Sequence, residues 1–283
     1  IIFYSIIIYV QPIYTNMIKR IKDGSMTFVF GSNFAGIHGK GAALVAAQRF
    51  GAIGGVGQGI MGNSYAIPTK DKSLAVLPLS SIKESVNEFI SFASTSDRLF
   101  YLTRVGCGLA GYKDIEIAPL FANAPRNVVL PGLWRTVLSP GSEVLAVIGS
   151  RGVQNFELFS STLNAYLSAN NLNASNTILC SGGAGGADSL AEEFVRLNPA
   201  FKLQVFEANW DAYGKAAGPF RNITMAGFSS RVIAFWDGKS PGTKQMFEHS
   251  RREGLKVEVI SCPGNFLAAT NQIRKIPPQG ILF

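Results

Sequence analysis

The sequence is short of charge, and that scarcity limits what the chain can be. Charged residues fill 16% of its 283 positions, hydrophobic ones 47%, and the mean hydropathy is +0.20. Such a composition can bury a sizeable core, so wholesale disorder is excluded. Cysteine is scarce as well: Cys107, Cys180 and Cys262 stand far apart and form no CxxC pair. They are expected to be buried, reduced thiols of a cytosolic protein, with no metal site. Runs of basic residues are missing. Net charge is +8, but residues 143–262 carry eleven Lys/Arg and eleven Asp/Glu, and the excess elsewhere is thinly spread. This predicts mild attraction for anionic ligands, and nucleic acid is not expected as a partner.

No apolar run is long enough for a bilayer. "IIFYSIIIYVQPIY" opens the chain, but Gln11 and Pro12 interrupt it well before the roughly 20 residues a membrane span needs. Its positive charges, Lys19, Arg20 and Lys22, follow the apolar stretch, opposite to a signal peptide. We expect residues 1–25 to be an N-terminal extension, upstream sequence or an incomplete start, with Met26 as the initiator.

The chain has ample glycine, and it is concentrated. "MTFVF" (26–30) predicts a strand, and "GKGAALVAAQRFG" a helix that stops at Gly51. "AIGGVGQGIMGNSY" is too glycine-rich for regular structure, and "AIPTKD" (66–71) reads as a strand end or turn. "SSIKESVNEFISFAST" (80–95) has helical spacing, with Ser80 or Ser81 as N-cap. "RLFYLTRV" predicts a strand, "DIEIAPLFANAP" a short helix and "RNVVLP" a closing strand; residues 133–142 read as a linker. Five apolar strands then alternate with helices: "VLAVIGS", "TILCSGG", "KLQVFEAN", "RVIAFWDG" and "KVEVIS". Helices are expected near Phe156, Asp188, Phe220 and Thr243. This alternation predicts parallel βαβ units with both sheet faces covered. The tail, 263–283, has no clear element. The fold class is therefore α/β, in two three-layer domains, 26–132 and 143–262.

Two glycine loops stand out in the first domain. "GSNFAGIHGKGAAL" (31–44) and "GCGLAGY" (106–112) each follow a strand and precede a helix. The second is formally GxGxxG, but Pro119 follows too soon for a dinucleotide fold. Bare amides at helix N-termini suit phosphate, and glycine permits close approach and positive φ. Together the loops could hold a diphosphate from two sides. In this order, with "IPTKD" between them, they resemble the macro domain, especially its phage-encoded branch. The resemblance implies ADP-ribose binding. Asn33 would face the distal ribose, and Gly31, Gly36, Gly39, Lys40 and Gly41 would shape that end. Gly106, Cys107, Gly108, Leu109, Ala110 and Gly111 would wrap the phosphates. In hydrolytic relatives, a lysine at the position of Lys40 works with an acid at that of Ala110. This sequence lacks that acid, and His38 is the alternative base.

The second domain carries "VIGSRG", "SGGAGGADSLAEEF", "WDAYGKAAGPFRN" and "FWDGKSPGTKQMF" at strand ends, where open α/β sheets bind ligands. These motifs resemble the SLOG superfamily, specifically its YspA-like branch, a Rossmann-like fold that binds nucleotides. The implied site comprises Gly149, Ser150, Arg151, Ser181, Gly182, Gly183, Gly186, Asp188, Lys215, Arg221, Asn222, Asp237, Gly242 and Thr243. A branch that cleaves nucleoside monophosphates carries glutamate where this chain has Met246, which argues against that chemistry here. Asp188 could instead satisfy free amides at a helix start. Trp210 and Trp236 could stack on a base or pack.

Three functions stay open. The first is binding of ADP-ribose-like or NAD-derived nucleotides by a cytoplasmic phage protein in its bacterial host. The second is hydrolysis of an ADP-ribosyl or N-glycosidic bond, with Lys40 and His38 as catalytic residues. The third is a nucleic-acid-associated module. No cofactor is required under the first reading, and the partner is a nucleotide-derived small molecule. SLOG relatives often associate, which implies a homo-oligomer through the second domain.

Overall fold

A computed structural model describes residues 19–22 and 26–267. The chain is α/β, built on two sheets. The first half contains β2 (Thr27–Asn33), α1 (Gly41–Arg49), β3 (Gly59–Met61), β4 (Ser64–Lys70), α2 (Leu79–Ser94), β5 (Phe100–Leu102), α3 (Asp114–Ile117) and β6 (Val128–Val129). A 3₁₀ turn, Ala118–Phe121, follows α3. Its strand order is β3-β4-β2-β5-β6, parallel except for β3. The second half contains β7 (Glu143–Gly149), α5 (Phe156–Ala169), β8 (Thr177–Ser181), α6 (Ala187–Leu197), β9 (Lys202–Glu207), α7 (Trp210–Tyr213), α8 (Ala217–Phe228), β10 (Arg231–Trp236), α9 (Pro241–Arg252) and β11 (Lys256–Ser261). With β1 (Lys19–Lys22) at its edge, every strand pair in this sheet is parallel, in the order β1-β9-β8-β7-β10-β11.

The expected strands and helices of the second half all form, and several expectations elsewhere are corrected. Residues 59–61 and 64–65 are strand rather than irregular chain, 66–70 are the end of β4 as expected, and β4 lies beside the central β2. α2 starts at Leu79, one residue before the expected serines, and Pro78 is its N-cap without a side-chain cap bond. Pro78 is extended at φ −64°, and its carbonyl accepts from the Ile82 amide, so the turn closes without a hydroxyl. Within the expected linker lies a helix, α4 (Gly132–Leu138), whose Trp134 is fully buried. α10 (Gly264–Leu267) opens the tail; the rest of the tail lies outside the described residues. From the N-terminal extension, β1 (Lys19–Lys22) joins the far sheet as a parallel edge strand against β9.

The layers explain how the halves join. α2 and residues 114–121 cover one face of the first sheet around Phe89, Phe100 and Phe121. α5 and α6 cover the outer face of the second sheet around Phe159, Phe194 and Phe235. Between the sheets runs a shared core: Met26, Tyr101 and Val129 from the first half pack with Ala146, Met225, Phe228 and Met246 from the second. The closest approach is between backbones. A Cβ on Gly132 would overlap Ser229, and one on Gly227 would overlap the Tyr101 hydroxyl. That hydroxyl donates to the buried Thr224 carbonyl at 2.8 Å.

Candidate functional site

Both sheets have a topological switch point, and a glycine-loop cluster sits at each. In the first sheet the chain leaves β2 for β4 on one side and returns to β5 on the other. The loops after β2 and β5 therefore meet: the nearest atom to a Cβ on Gly31 would be the Gly106 amide nitrogen, at 3.5 Å. In the second sheet β7 lies between β8 and β10, so the loops after these strands converge. Open α/β sheets place ligands in such crevices.

In the first cluster, the loop after β2 is braced by Asn33. Its side-chain amide donates to the Ile37 carbonyl at 2.8 Å, and its oxygen accepts from the Ile37 amide at 3.0 Å. Asn33 is buried, and these bonds hold the turn that the glycines make possible. Gly36 has φ +65°, and an added Cβ would overlap the Gly55 carbonyl carbon and the Val56 nitrogen. A Cβ on Gly57 would likewise overlap the Asn33 carbonyl oxygen. The stretch around residues 51–58 thus forms a wall against this loop. Sequence reasoning noted its glycines and left it out of the site; the density of glycine was the available signal.

His38 is buried edge-on against Phe30, with ring centroids 5.2 Å apart. Its Nε2 lies 3.4 Å from the Ser32 hydroxyl, and its buried Nδ1 has no hydrogen-bond partner among the described residues. Burial lowers its pKa, which favours the neutral ring. Lys40 is exposed and extended at the N-cap of α1, and Gly39 is exposed beside it. Gly41 opens the helix at φ +57°.

The loop after β5 turns at Gly106 (φ +81°) and Gly111 (φ +79°). Gly108 and Leu109 are exposed, Ala110 is half-buried, and the half-buried Cys107 thiol is pushed up to about 12, chiefly by burial. Its anchor is Asp114, which sequence reasoning did not single out. Arg104 donates to that carboxylate from Nε at 2.8 Å and Nη2 at 2.6 Å, and the Trp134 indole donates at 2.7 Å. Arg104 also donates to the carbonyl and carboxylate of Glu253, at 3.0 and 3.2 Å.

In the second cluster, Gly149, Ser150 and Gly186 meet backbone to backbone. A Cβ on Gly186 (φ +78°) would overlap the Ser150 carbonyl oxygen, and one on Gly149 the Phe235 carbonyl oxygen. Ser150 Oγ accepts from the Asp237 amide at 3.1 Å. Asp237 accepts from the Lys239 and Ser240 amides at 2.9 and 2.8 Å. Burial opposes its ionisation, yet these amides and the hydroxyls of Ser150 and Ser240 outweigh it and hold the carboxyl at about 2. Ser181 Oγ accepts from the Gly183 amide at 3.1 Å.

Asp188 lies in the first turn of α6, is buried, and accepts from the Ala184 amide at 3.3 Å. Arg221 approaches it at 3.7 Å and donates to the Gly182 carbonyl. Burial pushes the Asp188 carboxyl up to about 6 despite the arginine. Asn222 donates to the Gly242 carbonyl at 3.2 Å, next to the buried Thr243. Arg151 and Lys215 are exposed on the rim. Met246 is core. Trp236 packs on Phe247 with its indole donating to Ser240, whereas Trp210 is 55% exposed.

The clusters lie at opposite ends of the molecule. Phe50, after α1, rests on Phe28 at the start of β2, and its other ring neighbour is Phe220 in the first turn of α8, next to the second cluster. α8 then runs to Ser229, beside Gly132, which follows β6. The carboxyl ends of the two sheets therefore point in opposite directions, and the twelve residues of α8, about 18 Å of helix, separate them. Two surface depressions, of about 470 and 360 Å³, lie away from both clusters, one between α2 and residues 119–123, the other beside Arg231 and Lys256. Among the described residues, no helix is long and apolar enough to cross a membrane.

The Gene 61 protein of Mycobacterium phage D29 is 32% identical to this chain over 85 residues, covering 28% of this chain and 68% of that protein. No family model matches the chain, and no solved structure matches it.

Proposed function

Because the chain belongs to the family of the Gene 61 protein of Mycobacterium phage D29, we propose a phage function for it: binding ADP-ribose-like or NAD-derived nucleotides at its two loop clusters, inside the bacterial host. The observation that carries this reading is steric. At Gly36, Gly149 and Gly186, each at a switch point, any side chain would collide with facing backbone. Glycine loops packed this closely ahead of helix N-termini are the kind of backbone surface that favours phosphate. The resemblance to macro and SLOG domains supplies the ligand class. The opposed ends give each cluster its own ligand.

Asp188 favours a second reading, hydrolysis of an N-glycosidic bond. A buried carboxyl raised to about 6 beside an arginine is the kind of group that transfers protons near neutral pH. Calorimetry with ADP-ribose, cyclic ADP-ribose isomers, NAD and AMP tests the main reading. Binding is expected for at least one of them, at up to two per chain. Absence of binding to all of them at millimolar concentration refutes it.

A further inference from the structure

The second cluster does not end at its own domain. Its half-buried arginine, Arg221, is engaged with Asp188 and with the carbonyls of Gly182 and Phe206. Positive charge for a phosphate must then come from the rim. Arg151, Lys215 and Lys239 of the same half are exposed there. A fourth cation comes from the other half. Arg49, the last residue of α1, holds its guanidinium carbon 5.2 Å from the Phe220 ring centroid and 5.5 Å from that of Tyr213. Both rings belong to the segment that carries Lys215 and Arg221. Arg49 is itself exposed, and Phe50 behind it is buried against Phe28 and Phe220.

We propose that Arg49 is a binding residue of the second cluster, contributed across the domain junction to the phosphate of a nucleotide. The inference rests on the nucleotide-binding reading above. A guanidinium already held over two rings gives up less freedom on binding than an unrestrained lysine. It also presents the fork that matches a phosphate. The site would then be complete only in the two-domain chain.

The test uses the full chain titrated with AMP and with ADP-ribose, read by tryptophan fluorescence. Trp210 and Trp236 lie at this cluster, and Trp134 is buried elsewhere. Arg49→Met keeps the contact with the rings and removes the charge; Arg49→Lys keeps the charge and removes the fork. The dissociation constant is expected to rise about tenfold or more for Arg49→Met, and by less for Arg49→Lys. Thermal melts of the unliganded variants separate binding from folding, since a purely structural role would move the melt and leave the constant alone. If wild type binds and both variants bind equally well, the assignment of Arg49 falls and the nucleotide reading stands. If wild type binds neither nucleotide, both fall.

Discussion

Replacing Asp114 by alanine probes how the loop after β5 is held. The carboxylate accepts two bonds from Arg104 and one from the indole of Trp134. Trp134 is fully buried, so its N–H would lose its acceptor. An unsatisfied buried donor costs about 1–3 kcal/mol. The Arg104 and Asp114 side chains are 26% and 23% exposed, so the ion pair is only partly screened. Its loss adds about 1–2 kcal/mol, because Glu253 still accepts from Arg104. The expected total is about 3 kcal/mol. Asp114→Asn keeps an acceptor for the indole and should cost about half as much.

Urea denaturation followed by tryptophan fluorescence and by circular dichroism measures both variants. A loss below about 1 kcal/mol for Asp114→Ala would refute the reasoning, since it would mean that the indole is satisfied some other way. The pH dependence offers a second reading. Burial alone would raise the Asp114 pKa; the hydrogen bonds and charge of Arg104 outweigh it and hold the carboxyl below its ordinary value. A depressed folded pKa gives stability that is present above the unfolded value, near 4, and lost as pH falls through the folded one. Wild type should therefore lose more stability on acidification than Asp114→Asn.

Gly36→Ala places a methyl group into the Gly55–Val56 backbone at φ +65°; it should cost about 3 kcal/mol or more in denaturation and weaken ligand binding at the first cluster in calorimetry. Asp188, with its folded value near 6 above an unfolded value near 4, holds its proton longer when folded; its contribution to stability should decline as pH rises between those values, and melts of Asp188→Asn should lack that decline. Gly227→Ala should destabilise the protein, because its methyl group meets the Tyr101 hydroxyl, yet cost less in a Tyr101→Phe background; a double-mutant cycle of denaturation midpoints checks the coupling.

What the sequence announced, and what it hid, follows from how each element is stabilised. The second sheet was legible because β7, β8 and β10 are buried on both faces and read as unbroken apolar runs. β4 was obscured by the glycines before it and by Pro68 within it. Pro68 is tolerated because β3 pairs β4 only as far as Ala66 and Val76 pairs only with Lys70, leaving Pro68 between them unpaired on that side. α4 was hidden by Pro131 and Pro140 around it and by Gly132 at its start, although Gly132 is required by the facing Ser229 backbone rather than by a turn. The glycine loops were legible as motifs, since their spacing is local. The partners that hold them were not: Asp114 depends on Trp134, Arg104 on Glu253, and Arg49 on Tyr213 and Phe220. The first contact spans twenty residues within the first half, the other two exist only once the halves have docked, and no local pattern records any of them.

The docking also decides how the molecule should respond to ligands. The junction is built like a core: Tyr101 and Val129 are buried in one cluster with Met225 and Phe228. A separated half would expose these side chains and leave the Thr224 carbonyl without the Tyr101 donor. Interfaces that permit independent domain motion are smaller and more polar. The two halves should therefore unfold in one transition, although their sheets are distinct. A ligand bound at either end then stabilises the same folded state, by an amount set by its own concentration and dissociation constant. Saturating both clusters should raise the single melting temperature by the combined amount, even though α8 keeps the ligands apart and neither touches the other.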